Sequence, residues 1–200
     1  MLVKQTMLVK ERFYKILFLR IFLFSIFFYY SSDLHAGERQ LIINRLLQIN
    51  NLSFNFEQTT QAKVETGTCF LVFDNKLKCN YVDEKQKEII INNNTLVIIQ
   101  KKYDKIYYYP VSKSPFIKIL NKNTLIGLVR DSDLELNDNI DLIYLDKNGK
   151  NITVIFGKKD YNLKGWKIKD EFQNEIFFTL KIQTVNTEIN NNFFEIPSIN

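Results

Sequence analysis

Gly67-Thr-Cys-Phe-Leu-Val-Phe73 opens the stretch that decides the fold, and Lys105-Ile-Tyr-Tyr-Tyr109 closes it. Between them lie Leu77-Lys-Cys-Asn-Tyr81, Ile89-Ile-Ile91 and Thr95-Leu-Val-Ile-Ile99, separated by short runs rich in Asn, Asp and Lys. Short runs of β-branched and aromatic residues with such spacers are typical of consecutive antiparallel hairpins. The sequence therefore predicts a β-meander. Some of its strands are apolar on both faces, so other parts of the chain must cover them.

Helices and further hairpins flank this meander. Residues 38–50 carry apolar side chains at helical spacing, and residues 52–58 then alternate as in a strand. Ser114 followed by Pro115 predicts the start of a second short helix that ends at Leu120, because Ser caps helices and Pro suits their first turn. Residues 121–133 are predicted to connect this helix to four more strands, at 140–145, 152–156, 163–170 and 175–184, and to a closing edge strand at 193–197.

Composition favours a globular domain and gives no sign of nucleic-acid binding. The chain has 200 residues, of which 46% are hydrophobic, so it can bury an ample core. The formal charge is +5, but residues 1–36 hold five basic and two acidic side chains and contribute +3 of it. The remaining +2 is scattered among Asn and Asp residues. We therefore do not expect a nucleic-acid partner.

The first 36 residues are predicted to be an export signal. Basic residues up to Arg20 precede an apolar and aromatic run from Ile21 to Tyr30, and a polar segment then ends in the small residue Ala36. A retained membrane anchor is the alternative, because Leu34 is not the small residue preferred three positions before a cut. In either case residues 37–200 are expected to form a single domain outside the cytoplasm.

A census of reactive side chains argues against an enzyme. The only histidine, His35, falls inside the predicted signal, which leaves the domain without an imidazole for acid-base chemistry or metal binding. Carboxylate pairs such as Asp131 with Asp133 lie in Asn-rich segments, where a solvated loop is the simpler interpretation. There is no phosphate-binding glycine-rich loop. We therefore expect no catalytic residue, no metal site and no cofactor.

Cys69 and Cys79 lie on the first two strands of the meander and leave two interpretations open. An oxidising compartment would permit a cross-strand disulfide. A hairpin loop centred on Asn75, however, would place Cys79 opposite Leu71 and make the two cysteines diagonal neighbours, which is a poor geometry for a bridge. Two small, buried and unbridged side chains are therefore the favoured interpretation.

The order of these elements resembles the LolA family of periplasmic carriers of outer-membrane lipoproteins. The resemblance rests on the first helix, Leu52-Ser-Phe-Asn-Phe-Glu-Gln58, Leu77 to Tyr81, the Asn92-Asn-Asn94 hairpin, and further matches at Ser112 to Leu120, Trp166-Lys-Ile-Lys-Asp170 and Phe194-Glu-Ile-Pro197. It covers nearly all of residues 37–200. The fold that it implies is mainly β, an unclosed antiparallel β-barrel around an apolar cavity that short helices cover.

Two departures from the family pattern concern the hairpins. The family usually carries an Arg-Pro pair at the first hairpin, and its arginine is thought to hold the lid shut by hydrogen bonds. Here those positions are Phe73 and Asp74, so closure is expected to depend on apolar contacts. The family's Asp-Gly turn is Asn92-Asn93, which is a tolerable change because Asn accepts left-handed backbone angles.

The resemblance implies a periplasmic chaperone that binds the acyl chains of lipoproteins. It would receive them from an inner-membrane lipoprotein-releasing transporter and pass them, as a monomer, to an outer-membrane acceptor. Two groups of side chains are predicted to form the site. The cavity is expected to be lined by Phe54, Phe56, Leu71, Phe73, Leu77, Cys79 and Tyr81. The lid is expected to use Leu46, Ile49, Phe116, Ile119 and Leu120.

Two other functions remain as alternatives. A periplasmic lipid-binding or envelope-sensor domain could share the fold, although a sensor would normally continue into a second domain. A lipid-modifying enzyme would need a nucleophile and a base in the cavity, and the missing histidine disfavours it.

Overall fold

Antiparallel hairpins build one sheet. The computed structural model describes residues 33–73, 75–111, 117–145, 151–169 and 173–197. Its strands are β1 (Asn51–Thr60), β2 (Lys63–Val72), β3 (Lys76–Tyr81), β4 (Lys87–Asn92), β5 (Thr95–Gln100), β6 (Lys105–Pro110), β7 (Asp133–Leu136), β8 (Ile140–Leu145), β9 (Asn151–Phe156), β10 (Leu163–Lys169) and β11 (Glu175–Val185).

The sheet is open at its two ends. Its spatial order is β6-β5-β4-β3-β2-β1-β11-β10-β9-β8-β7, in which the pairing of β1 with β11 joins the two halves of the chain. Among the described residues, the outer strands β6 and β7 do not pair with each other. The architecture is therefore the unclosed antiparallel barrel that the sequence predicts.

In the described part of the chain, three helices accompany the sheet: α1 (Asp33–Gln48), α2 (Ile117–Leu120) and α3 (Lys122–Asp131). By its internal contacts the chain divides into two compact units, residues 1–40 and 41–200, and of the first only the beginning of α1 is described. In the second unit, Asn186 ends α1 by donating its amide Nδ2 to the carbonyl oxygen of Gln48 at 2.8 Å. No helix in the described ranges is long and apolar enough to cross a bilayer. Residues 1–32 of the predicted export signal lie outside those ranges, and the signal stays a prediction.

Left-handed Asn residues make the tight turns of the meander. Asn93 has φ 53°, and the pairing of Asn92 with Thr95 leaves a two-residue loop at this hairpin. Such loops require positive φ angles, which Asn tolerates better than most residues do. Asn75 has φ 69° and ends the loop between β2 and β3, where Val72 pairs with Lys76. The change from Asp-Gly to Asn-Asn at the second hairpin therefore preserves the turn.

The meander is covered on both faces, which explains why some strands carry apolar residues on both sides. Ile89 and Ile91 face the inner core, whereas Ile90 and Val97 are buried on the outer face. There the 3-10 turn Asn191–Phe194 contacts β3 and β4. Asn92 Nδ2 donates to the carbonyl oxygen of Phe194 at 3.2 Å and fastens this segment to the sheet.

Three expectations about local structure were wrong. Residues 122–131 form α3 rather than part of a connector, because Asn121 caps the helix by accepting from Thr124 N–H and four apolar side chains of α3 are buried. Asp133–Leu136 adds the unpredicted strand β7, paired with β8. Residues 191–194 form a 3-10 turn rather than an edge strand, because Phe193 and Phe194 pack on the outer face of the sheet. The predicted start of α2, at Ser114 and Pro115, lies outside the described residues.

Candidate ligand-binding cavity

An apolar cavity lies between α2 and the strands of the meander. It is bounded on one side by β1 to β5 and on the other by side chains from β10 and β11. Seven residues predicted from the sequence to form the site line it: Phe54, Leu71, Leu77, Cys79, Tyr81, Ile119 and Leu120. The structure thus brings side chains of the predicted lid and of the predicted walls together.

The other predicted site residues do not line the cavity. Phe56, Phe73, Leu46 and Ile49 are buried in the core that surrounds it. α1 therefore contributes to the core, and the direct cover of the cavity in the described residues is α2. Phe116 lies outside the described residues.

Six further lining residues were missed: Cys69, Ile89, Ile91, Leu96, Trp166 and Phe178. The strand alternation contained the signal for most of them. Phe178 and Trp166 each lie on a dry face of a predicted hairpin, and Cys69 shares the inward parity of Leu71. Which dry face borders the cavity depends on the pairing of β11 with β1, which is a long-range contact that local patterns do not encode.

The cavity has a volume of about 50 Å³. Pockets that hold small molecules usually measure about 300–1,000 Å³, so this space is too small for an acyl chain. The interior is consequently nearly filled by its own side chains.

The wall beneath α2 contains a disulfide between Cys69 and Cys79. Their Sγ atoms are 1.99 Å apart, and the two residues are direct partners across β2 and β3. The expected diagonal register was wrong, and with it the preference for unbridged cysteines. The hairpin loop holds residues 73–75 and is centred one residue earlier than expected, because Asn75 takes the left-handed position at the end of the loop.

Four aromatic rings cross the inner face from β3 to β10. The Phe56 ring contacts the Tyr81 ring edge-on at 4.8 Å between centroids and stacks on the Phe178 ring at 4.9 Å. Phe178 stacks in turn on Trp166 at 4.2 Å. Gly67 pairs with both Phe56 and Tyr81, and its missing side chain leaves the space in which those two rings meet. We call these four residues the aromatic row.

A charged cluster surrounds the Tyr81 end of the aromatic row. Tyr81 donates its hydroxyl to Gln58 Oε1 at 3.2 Å, and Lys87 Nζ lies 3.6 Å from the centre of the Tyr81 ring. Glu65 binds Lys87 at 2.7 Å and Lys63 at 2.8 Å. Burial, reinforced by the nearby carboxylates of Glu65 and Asp83, raises the pKa of Tyr81 above its ordinary value. The phenol of Tyr81 therefore stays neutral.

Comparison of the sequence with models of protein families identifies the family of this chain. The model described as "Outer membrane lipoprotein carrier protein LolA" matches residues 48–197. The chain belongs to the LolA family. The matched range contains every strand and every lining residue of the cavity in the described part of the chain.

One curated relative agrees with the membership of the LolA family. The outer-membrane lipoprotein carrier protein of Campylobacter jejuni is 26% identical over 176 residues, which are 86% of this chain and 91% of that protein. The name describes that relative as a lipoprotein carrier, as the description of the family model does.

Two solved structures resemble the fold. One is an uncharacterized conserved protein from Thermus thermophilus, with a TM-score of 0.50, 8% identity and coverage of 81% of this chain and 94% of that one. The other is MucB, with a TM-score of 0.51, 11% identity and coverage of 84% and 64%. At such identities the likeness concerns the fold alone.

In this LolA-family protein, buried side chains and a backbone hydrogen bond hold α2 over the cavity. Ile119 and Leu120 are buried, and Asn75 N–H donates to the carbonyl oxygen of Leu120 at 3.4 Å. Lys122, at the start of α3, lies 5.6 Å from the centre of the Phe73 ring and donates to Asn50 Oδ1 at 3.2 Å. At this end of the cavity the hairpin thus supplies an aromatic ring and the helix pair supplies the cation.

Proposed function

We propose that this protein is a periplasmic carrier that binds the acyl chains of lipoproteins released from the inner membrane and delivers them to an outer-membrane acceptor. The observation that carries the proposal is the apolar cavity beneath α2, within the part of the chain that matches the carrier family. The proposed partners are an inner-membrane lipoprotein-releasing transporter and the acceptor. The protein would act as a monomer and without covalent chemistry.

The cargo explains why a carrier needs such an interior. Moving a methylene group from water into an apolar site is worth about 0.8 kcal/mol, so the several acyl chains of a lipoprotein do not cross an aqueous compartment unaided. A carrier must offer them apolar surface and must hide that surface when it is empty. The closed cavity of about 50 Å³ fits the empty state.

Opening is proposed to occur at α2. The described helix has only four residues, and a helix of that length has no stability of its own. It is held by the burial of Ile119 and Leu120 and by one long backbone hydrogen bond from Asn75. Acyl chains that replace these contacts could displace α2 while leaving the hydrogen-bonded sheet intact.

The disulfide supports a location outside the cytoplasm. Bridges between cysteines persist in oxidising compartments such as the periplasm and are rare in the cytosol. The Cys69–Cys79 bridge therefore agrees with the predicted export of residues 37–200, and both support the periplasm as the working compartment.

The experiment that tests the carrier role is release of lipoproteins from spheroplasts by the purified protein. Ile119→Asp places a carboxylate on the buried face of α2 and is expected to abolish release. The control is Leu47→Asp, the same change at an exposed position of α1, which should release normally. Circular dichroism checks that both variants are folded. Normal release by Ile119→Asp would contradict the proposal, and binding of lipid without release by the wild type would favour a lipid-binding or sensor domain.

A further inference from the structure

The two sides of the interior of this protein differ in how they are packed. Side chains from β1 to β5 and from α2 surround the cavity, whereas buried side chains beneath β8 and β9 lie apart from it. Leu125 and Val129 of α3, Leu142 of β8 and Phe156 of β9 are each fully buried, and they do not border the cavity. We call the part of the barrel around the cavity the cavity half, and the part beneath β8 and β9, which is packed with these four side chains, the solid half.

The Phe178–Trp166 end of the aromatic row lies between these halves. Phe178 and Trp166 line the cavity, and their rings stack 4.2 Å apart with an interplanar angle of 6°. Phe56 stacks on the other side of Phe178 and is itself held edge-on by Tyr81. Phe178 is therefore stacked between Phe56 and Trp166.

We propose that the Phe178–Trp166 stack is the end wall of the acyl-binding site and sets the length of chain that this protein accepts. This inference rests on the proposed function. Displacing α2 opens the site on the side of the meander, but it does not move a stack that is built on the paired strands β10 and β11. A chain that enters beneath α2 can therefore extend only until it meets these two rings.

The expected signature is a limit in a series of chain lengths. Each methylene that enters an apolar site should raise the affinity about fourfold. Beyond the length at which the chain reaches the wall, further methylenes stay in water and the affinity should stop rising. A variant with a smaller side chain at the wall should move this limit to longer chains.

The test is calorimetric titration of the full-length protein with saturated fatty acids of increasing length, below their micellar concentrations. Phe178→Leu removes ring volume at the wall, and Phe156→Leu makes the same change in the solid half, where Phe156 is fully buried. We expect the limit to move to longer chains in Phe178→Leu and to stay at the wild-type length in Phe156→Leu. Trp166→Phe provides a second, conservative change at the wall and should move the limit in the same direction.

The remaining outcomes overturn the inference in separate ways. An unchanged limit in both wall variants would show that the stack does not bound the site, while wild-type binding would leave the proposed function standing. An equal change in Phe156→Leu would show that the solid half also admits ligand. If the wild type binds no fatty acid of any length, the inference fails, whereas the proposed function is decided separately by the release of lipoproteins from spheroplasts.

Discussion

Reduction of the Cys69–Cys79 disulfide should lower the stability of the protein without removing any atom from the cavity wall. The bridge closes a loop with a sequence separation of 10. For a loop of that length, the chain-entropy model gives a stabilisation of about 2.7 kcal/mol at 25 °C. Small proteins have a free energy of unfolding of about 5–15 kcal/mol in total, so the predicted loss is a large fraction of it.

The assay is urea unfolding followed by the fluorescence of Trp166, the only tryptophan of the chain, with and without a phosphine reductant. With a slope of about 1–3 kcal/mol per molar urea, the loss should lower the midpoint by about 1–3 M. The control is the double variant Cys69→Ala and Cys79→Ala, which has no bridge and should not respond to the reductant.

Two results would refute this reasoning. A titration of the denatured, unreduced protein that finds two free thiols would exclude the bridge itself. A reductant effect of the same size in the double variant would show that the loss of stability comes from another cause.

Three further predictions concern other parts of the chain. Gly67→Ala should cost about 1–3 kcal/mol of stability in urea unfolding, because its Cβ would overlap the Asn80 carbonyl oxygen and lie 2.7 Å from the Phe56 ring. A Cβ at Gly127 would meet no atom within 4 Å, so Gly127→Ala should not destabilise the protein. Equal losses of stability in the two variants would contradict this prediction. Burial would raise the pKa of Glu65, but hydrogen bonds from Lys63 and Lys87 hold it below its ordinary value. The carboxylate therefore stabilises the fold above its unfolded-state pKa and loses this effect as the pH falls through its folded-state pKa. Glu65→Gln should have a lower urea midpoint than the wild type at pH 7, and the two midpoints should converge in acid. A difference that stays constant with pH would be inconsistent with this linkage. Asn121→Ala removes the cap of α3 and should cost about 1 kcal/mol in the same assay, whereas an unchanged midpoint would argue against the cap.

Periodicity predicted most of the strands, but it missed β7. Leu77, Cys79 and Tyr81 alternate with polar residues, and all three line the cavity. The cavity itself was an expectation from the resemblance to the LolA family. α3 was missed because its apolar residues form a short patch around Gly127 between Asn-rich flanks, and their helical spacing becomes decisive only once the helix packs against β8.

The register of the strands and their long-range packing could not be predicted from local sequence patterns. The disulfide depends on a single left-handed residue, Asn75, which shifts the pairing of the hairpin so that the cysteines face each other. Phe193 and Phe194 look like part of a strand, but their partners are side chains on the outer face of the sheet. The size of the cavity could not be predicted either, because the same apolar residues fit a hollow interior and a filled one.

The most direct measurement of the central claim, that acyl chains enter the cavity beneath α2, is quenching of Trp166 by brominated acyl chains. Trp166 lines the cavity, and bromine quenches tryptophan only at close range. An acyl peptide with bromine on its hydrocarbon tail should quench the fluorescence saturably, its unbrominated twin should not, and Ile119→Asp should weaken the effect. Equal fluorescence with the two peptides at saturation would contradict the account.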